Sequence, residues 1–266
     1  MKNACCACRQ EGVETFELRK DVRKCAKCTI ESVGRSIMGL FRKALKHLPA
    51  PVHVLVAVSG GCSSVAVWDL LSKRLNTALN GKSAVVKKLQ AITSKKDDFN
   101  IPGIVHIDEY TVPNVVRYAK ENDFNCVVLG DNAEHVALAS LGAISVGRPD
   151  LSCWITNDDE KNFAPLIVIR PARQCLEAEL KFYCKENGLN IDDEKSDLQK
   201  AFVFEQKMLD NVKVDGHGEA PFAIQKMGEK LPRIYYEFKC PKCGLPSSSN
   251  EKCQMCVEIE KHQNKN

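Results

Sequence analysis

The sequence has no long apolar run, no strong excess of either charge and no low-complexity tract. Its longest mainly apolar stretch is residues 52–58, far short of the roughly 20 residues that a membrane-spanning helix needs. No membrane association is expected. The opening residues are polar and cysteine-rich, not a basic region leading into an apolar core, so no secretion is expected either. A formal net charge of +4 on 266 residues gives no general grip on nucleic acid, and RNA contact must come from local patches. Lys87, Lys88, Lys95 and Lys96 form one such patch, and Arg42, Lys43 and Lys46 another; both read more readily as solvated faces. The G-x-S-x-G elbow of serine hydrolases is missing around Ser59. His106 and Asp108 alternate along an expected strand, but no nucleophile is placed beside them.

Cysteine is abundant instead, with fourteen in the chain. A nonsecreted, cytoplasmic protein keeps its thiols reduced, so paired CxxC spacings point to metal and not to disulfides. Cys5, Cys8, Cys25 and Cys28 form C-x2-C-x16-C-x2-C, with Cys6 as a competing ligand in the first turn. Cys240, Cys243, Cys253 and Cys256 form C-x2-C-x9-C-x2-C. Two residues between cysteines let both sulfurs of one turn converge on a tetrahedral ion, and a second turn completes the set. Two structural zinc sites are expected, closed by four thiolates and without an open position for catalysis. The quartets stand at opposite ends of the chain, which argues against an interleaved RING arrangement.

The middle of the chain, with 44% apolar residues overall, alternates strand and helix patterns in the manner of parallel βαβ units. Strands are expected at 52–58, 104–107, 126–129 and 166–169. Helical stripes run through Val65, Trp68, Leu71 and Leu75; Val112, Val115, Val116 and Ala119; Ala137, Leu141 and Ile144; and Leu176, Leu180 and Tyr183. Residues 76–100 break the alternation, being polar and lysine-rich with only Val85-Val86 as a strand remnant. Residues 192–197 read as an acidic linker, and Leu198, Phe202, Leu209 and Val212 as one further helix. Three regions follow: 1–48, a zinc module with a basic helix; 49–236, an α/β domain; and 237–266, a second zinc module.

The first strand runs into Ser59, Gly60, Gly61, Cys62, Ser63 and Ser64 and then a helix. Such a loop can offer backbone N–H groups, serine hydroxyls and a helix N-terminus to a nucleotide's phosphates. It can equally be a strand-to-helix turn that uses glycine for geometry alone.

The loop resembles the SGGxDS signature of PP-loop ATP pyrophosphatases, with Ser63 in the place of the aspartate. Added to this are the preceding CxxC pairs and basic helix, Leu129-Gly130-Asp131-Asn132, Ser145-Val146-Gly147-Arg148, and Val168-Ile169-Arg170-Pro171 with Glu177 and Glu179. With these the chain resembles the cytoplasmic tRNA 2-thiolation protein 2 family across nearly its whole length. The resemblance implies an α/β, doubly wound parallel sheet of PP-loop (adenine nucleotide alpha hydrolase-like) type flanked by zinc modules. It implies a subunit that supports ATP-dependent sulfur transfer to C2 of wobble uridine in tRNA. Its partners would be a catalytic thiolase, as a heterodimer, tRNA, and a ubiquitin-related sulfur carrier shared with protein urmylation. Ser59, Gly60, Gly61, Ser63 and Ser64 would be an active or vestigial nucleotide site, leaving ATP as an optional cofactor.

Catalytic relatives carry a CxxC just before a Gly-Val-x-Arg stretch. Aligning Arg117 on that arginine puts Tyr110 and Pro113 on the cysteine positions, where neither can supply a thiolate. No catalytic residue is therefore assigned. Cys126, Cys153, Cys175 and Cys184 read as small buried hydrophobes, while Cys62 alone sits in the loop, where a reactive thiol is the minor alternative. Two other classes stay open: a self-sufficient ATP-dependent tRNA thiolase, and a non-enzymatic zinc and nucleic-acid binding module.

Overall fold

The computed structural model describes residues 4–79, 85–97, 99–158, 161–192, 194–214 and 217–263. The N-terminal cysteines enclose a hairpin of β1 (Phe16–Arg19) and β2 (Val22–Lys24), which turns through Asp21 at φ 59°. It leads into α1 (Ala26–Leu45), whose Val33, Ile37 and Phe41 recur at helical spacing and are fully buried. Next come β3 (Val52–Ala57), α2 (Cys62–Leu79), β4 (Val86–Thr93), β5 (Val105–His106), α3 (Val112–Glu121), β6 (Cys126–Val128) and α4 (Ala133–Ser145). A short 3-10 turn precedes α5 (Ser152–Thr156), β7 (Ile167–Ile169) and α6 (Glu177–Glu186). The chain ends with α7 (Asp197–Ala201), α8 (Val203–Val214), α9 (Ala220–Lys230), β8 (Phe238–Lys239), β9 (Pro246–Ser247) and α10 (Gln254–Gln263). No helix among the described residues is long and apolar enough to cross a membrane.

The central sheet has the order β5-β4-β3-β6-β7 and every pairing is parallel. Side chains alternate between its two faces. Val52, Val54 and Val56 of β3 pack with α1, α2 and α6, while Leu55 and Ala57 pack with Val115, Val116 and Ala119 of α3. With both faces covered, the strands read as continuous apolar runs. A third core joins α4, the 3-10 turn and α5, through Val136, Leu151 and Trp154, to Leu245 and Met255 of the C-terminal module. The chain moves outward from β3 through β4 to β5, then returns to add β6 and β7 on the other side. Ligands of such sheets bind where the strand order reverses, at the carboxyl ends of the strands.

The lysine-rich stretch holds a complete strand, contrary to the sequence expectation. β4 pairs along the whole of β3, from Val52 opposite Val86 to Ala57 opposite Ile92. Its lysines are accommodated because a long alkyl stem can lie on an apolar surface while the charge finds a partner. The Lys88 ammonium lies 4.0 Å from the centre of the Phe124 ring and donates to the Asn122 carbonyl at 2.9 Å. The helix expected from Leu198 to Val212 is two helices. Phe202 leaves helical geometry at φ −105°, ψ 56°, and its buried ring packs on Gly142 of α4, where an added Cβ would stand 3.0 Å away. Ile144, placed on an apolar stripe by spacing, is exposed.

Candidate nucleotide loop and metal sites

β3 delivers its last residues to the switch point, and the loop that follows turns sharply into α2. Gly60 makes the turn at φ 91°, a conformation that side-chain-bearing residues rarely adopt. The hydroxyls of this loop are engaged inward. The Ser59 N–H donates to Ser64 Oγ at 3.2 Å, and Ser64 Oγ donates to the Gly61 carbonyl at 3.0 Å. Ser63 Oγ, in the aspartate's place, accepts from Asn132 Nδ2 at 3.0 Å in a buried contact. Asn132 also caps α4, its Oδ1 accepting from the His135 N–H at 2.8 Å. Gly130 lies against this loop so closely that an added Cβ would stand 2.5 Å from Ser64 Cα. The Ser-Gly-Gly and Gly-Asp-Asn stretches, distant in sequence, thus form one joint at the carboxyl ends of β3 and β6.

Beside the joint lies an ionic cluster that spacing did not reveal. Asp131 Oδ1 meets His135 Nδ1 at 2.7 Å and its Oδ2 accepts from Arg170 Nε at 2.8 Å. Burial opposes ionisation of Asp131, but the charges and hydrogen bonds of His135 and Arg170 outweigh it and hold the carboxyl well below the usual range. Burial likewise disfavours the charged imidazole, yet the charge and hydrogen bond of Asp131 raise the His135 pKa on balance. Asp131 therefore contributes stability that is present above its unfolded pKa near 3.9 and is lost as pH falls, by linkage. His135 contributes stability present below about 6.5 and lost as pH rises through its folded value. Thermal melting across pH should show both limbs. Asp131→Asn should flatten them and cost about 2 kcal/mol near pH 6, since it leaves the Arg170 guanidinium half-paired. An unchanged profile would contradict this assignment.

The other residues of the resemblance are structural. Glu179 accepts two hydrogen bonds from Arg19, at 2.7 and 2.8 Å, and one from the Leu176 N–H, tying the N-terminal hairpin to α6. Arg148 pairs with Asp150 and donates to the Pro246 carbonyl at 3.1 Å, tying the C-terminal module to the end of α4. The Glu177 N–H donates to Glu134 at 3.0 Å.

Both cysteine quartets assemble. Within each, one sulfur from every residue lies within 4.8 Å of the other three. Cys8 and Cys25 sulfurs are 3.9 Å apart, and those of Cys243 and Cys253 are 3.7 Å apart. A tetrahedron with metal–sulfur bonds near 2.3 Å has edges of roughly 3.8 Å, so the sets fit one four-coordinate ion. The knuckles match as well: the Cys25 N–H donates to Cys5 Sγ, and the Cys253 N–H to Cys240 Sγ, both at 3.3 Å. Gly244 closes its knuckle at φ 72°, a conformation open to glycine. Cys6 is exposed and is not among the clustered sulfurs.

The remaining thiols are buried singly or in pairs. Burial, with the nearby Glu179 charge, pushes Cys175 up to about 12, and burial beside Cys62 does the same to Cys184. Such thiols are poor nucleophiles. Tyr110 is half-buried near Asp131, and burial together with that charge raises its phenol. Pro113, in the first turn of α3, approaches the Gly244 knuckle. Both residues set opposite the relatives' cysteines therefore face the joint and the C-terminal module.

No model of a known protein family matches the chain, and no curated protein matches it. Among solved structures it is similar to the U34-tRNA thiolase NcsA from Methanococcus maripaludis with its [4Fe-4S] cluster. The two are 16% identical with a TM-score of 0.65, covering 98% of this chain and 97% of that one. At that identity the likeness establishes the fold, and this chain has the α/β, parallel-sheet fold of a PP-loop tRNA thiolase.

Proposed function

We propose that this chain is a cytosolic subunit of a tRNA 2-thiolation complex and leaves sulfur handling to a catalytic thiolase partner. One observation carries the reading, a likeness to a tRNA thiolase from end to end; aligning Arg117 on the arginine of catalytic relatives adds that Tyr110 and Pro113 fall where sulfur chemistry would need thiolates. In this reading the chain contributes shape and surface to a heterodimer that acts on C2 of the wobble uridine, served by a ubiquitin-related sulfur carrier. The substitution of Ser63 for an acidic residue supports a non-catalytic role. Each quartet holds one zinc, as the sulfur spacing fits a single tetrahedral ion and not an iron–sulfur cube, which holds its thiolates further apart.

Deletion of the gene is expected to abolish 2-thiouridine in tRNA, and Cys62→Ser is expected to leave it nearly intact. Cys62 is the informative position because it is the thiol within the loop itself. Mass spectrometry of tRNA hydrolysates reads the result, with protein level checked in parallel. Complete loss of 2-thiouridine in the Cys62→Ser strain at normal protein level would refute the proposal.

A further inference from the structure

The glycine loop is covered by residues that belong to no motif. Phe99, in the connection from β4 to β5, lies over Gly60: a Cβ added to this glycine would stand 2.5 Å from Phe99 Cζ and 3.2 Å from Asp192 Cβ. The Asp192 N–H donates to the Gly60 carbonyl at 2.8 Å. Its carboxylate meets Lys95 Nζ at 2.9 Å, so the segment after α6 and the segment after β4 are fastened to each other across the loop. The Phe99 ring is buried, packing in the same core as Val58 and Cys62.

Phe99 is held there against its own backbone preference. It lies at φ 48° and Asn100 at φ 56°, two consecutive left-handed residues without a glycine. That conformation is uncommon for asparagine and a clear outlier for a bulky aromatic. The surroundings enforce it: the Phe99 N–H donates to Asp97 Oδ1 at 2.8 Å, and the Lys95 carbonyl is bound by His106 Nδ1 at 2.9 Å. Strained residues fixed over a ligand loop mark positions where function sets the conformation. A nucleotide whose phosphates lie on the loop must approach its glycine backbone closely, and the Phe99 ring packs on the first of those glycines.

We propose that Phe99, latched by the Lys95–Asp192 ion pair, is an autoinhibitory plug that excludes ATP from the glycine loop. The proposal rests on reading residues 59–64 as a nucleotide loop. Removing the ring, or breaking the Lys95–Asp192 pair that ties the two covering segments together, opens the loop.

Isothermal titration of the full-length, metal-loaded chain with magnesium ATP tests it. The unaltered chain should bind with a dissociation constant no tighter than millimolar. Phe99→Gly should tighten binding at least tenfold, since glycine keeps the left-handed turn while removing the ring. Asp192→Asn, which breaks the latch and leaves the core intact, should give a smaller gain and decides the matter if Phe99→Gly fails to fold. Micromolar binding by the unaltered chain would overturn the proposal, as would a folded variant that binds no better than it. Either outcome leaves the non-catalytic role standing, because that is judged by 2-thiouridine in the Cys62→Ser strain.

Discussion

Breaking the C-terminal quartet, by chelation or by Cys256→Ser, should unfold β8, β9 and α10 and lower the melting temperature of the whole chain by about 10 °C. The two strands have two residues each and the helix ten, which is too little to hold together without metal. The metal closes the module, and the module in turn covers the third core. Leu245 and Met255 pack against the α4–α5 face that includes Val136, Leu151 and Trp154. Losing the burial of those two side chains costs about 2 kcal/mol each. At 2–4 °C per kcal/mol for a chain of this size, roughly 4 kcal/mol gives the stated shift. The N-terminal quartet is more accessible, with Cys8 exposed and Cys25 half-buried, so its metal should leave first under a chelator. Metal analysis alongside calorimetry would follow both events. Two ions retained in Cys256→Ser with unchanged melting would contradict the prediction.

Gly130→Ala should cost about 3 kcal/mol and disturb the glycine loop from the end of the neighbouring strand. An added methyl would meet backbone, at 2.5 Å from Ser64 Cα and 2.7 Å from Ser64 N. Unlike the tip of a flexible side chain, that neighbour cannot rotate away. The two loops would have to part, drawing the Asn132 amide from Ser63 Oγ. Gly39→Ala is the matching control: Gly39 lies within α1 with nothing within 4 Å of an added Cβ. That change should stabilise the chain by about 0.5–1 kcal/mol, the ordinary helical preference for alanine over glycine. Chemical denaturation of both variants separates a steric clash at Gly130 from a general effect of removing glycine.

Features legible in the sequence are those whose physics is local. A CxxC turn brings two sulfurs together by its own backbone, so eight metal ligands could be named from spacing and all eight cluster. The apolar runs of β3, β6 and β7 are strands buried on both faces, and that double burial is written directly into composition. The tight turn at Gly60 follows from two adjacent glycines between a strand and a helix. β4 escaped notice because its lysines resemble a solvated surface until the turn after α3 brings Asn122 and Phe124 beneath Lys88. The Asp131–His135–Arg170 cluster and the cover of Phe99, Lys95 and Asp192 depend on residues from different strands and loops meeting at the carboxyl edge of the sheet. Residue type and spacing determined which groups were available for metal and phosphate; the crossing of connections over the switch point decided which side chains face one another, and hence that Phe99 and Asp192 pack on Gly60.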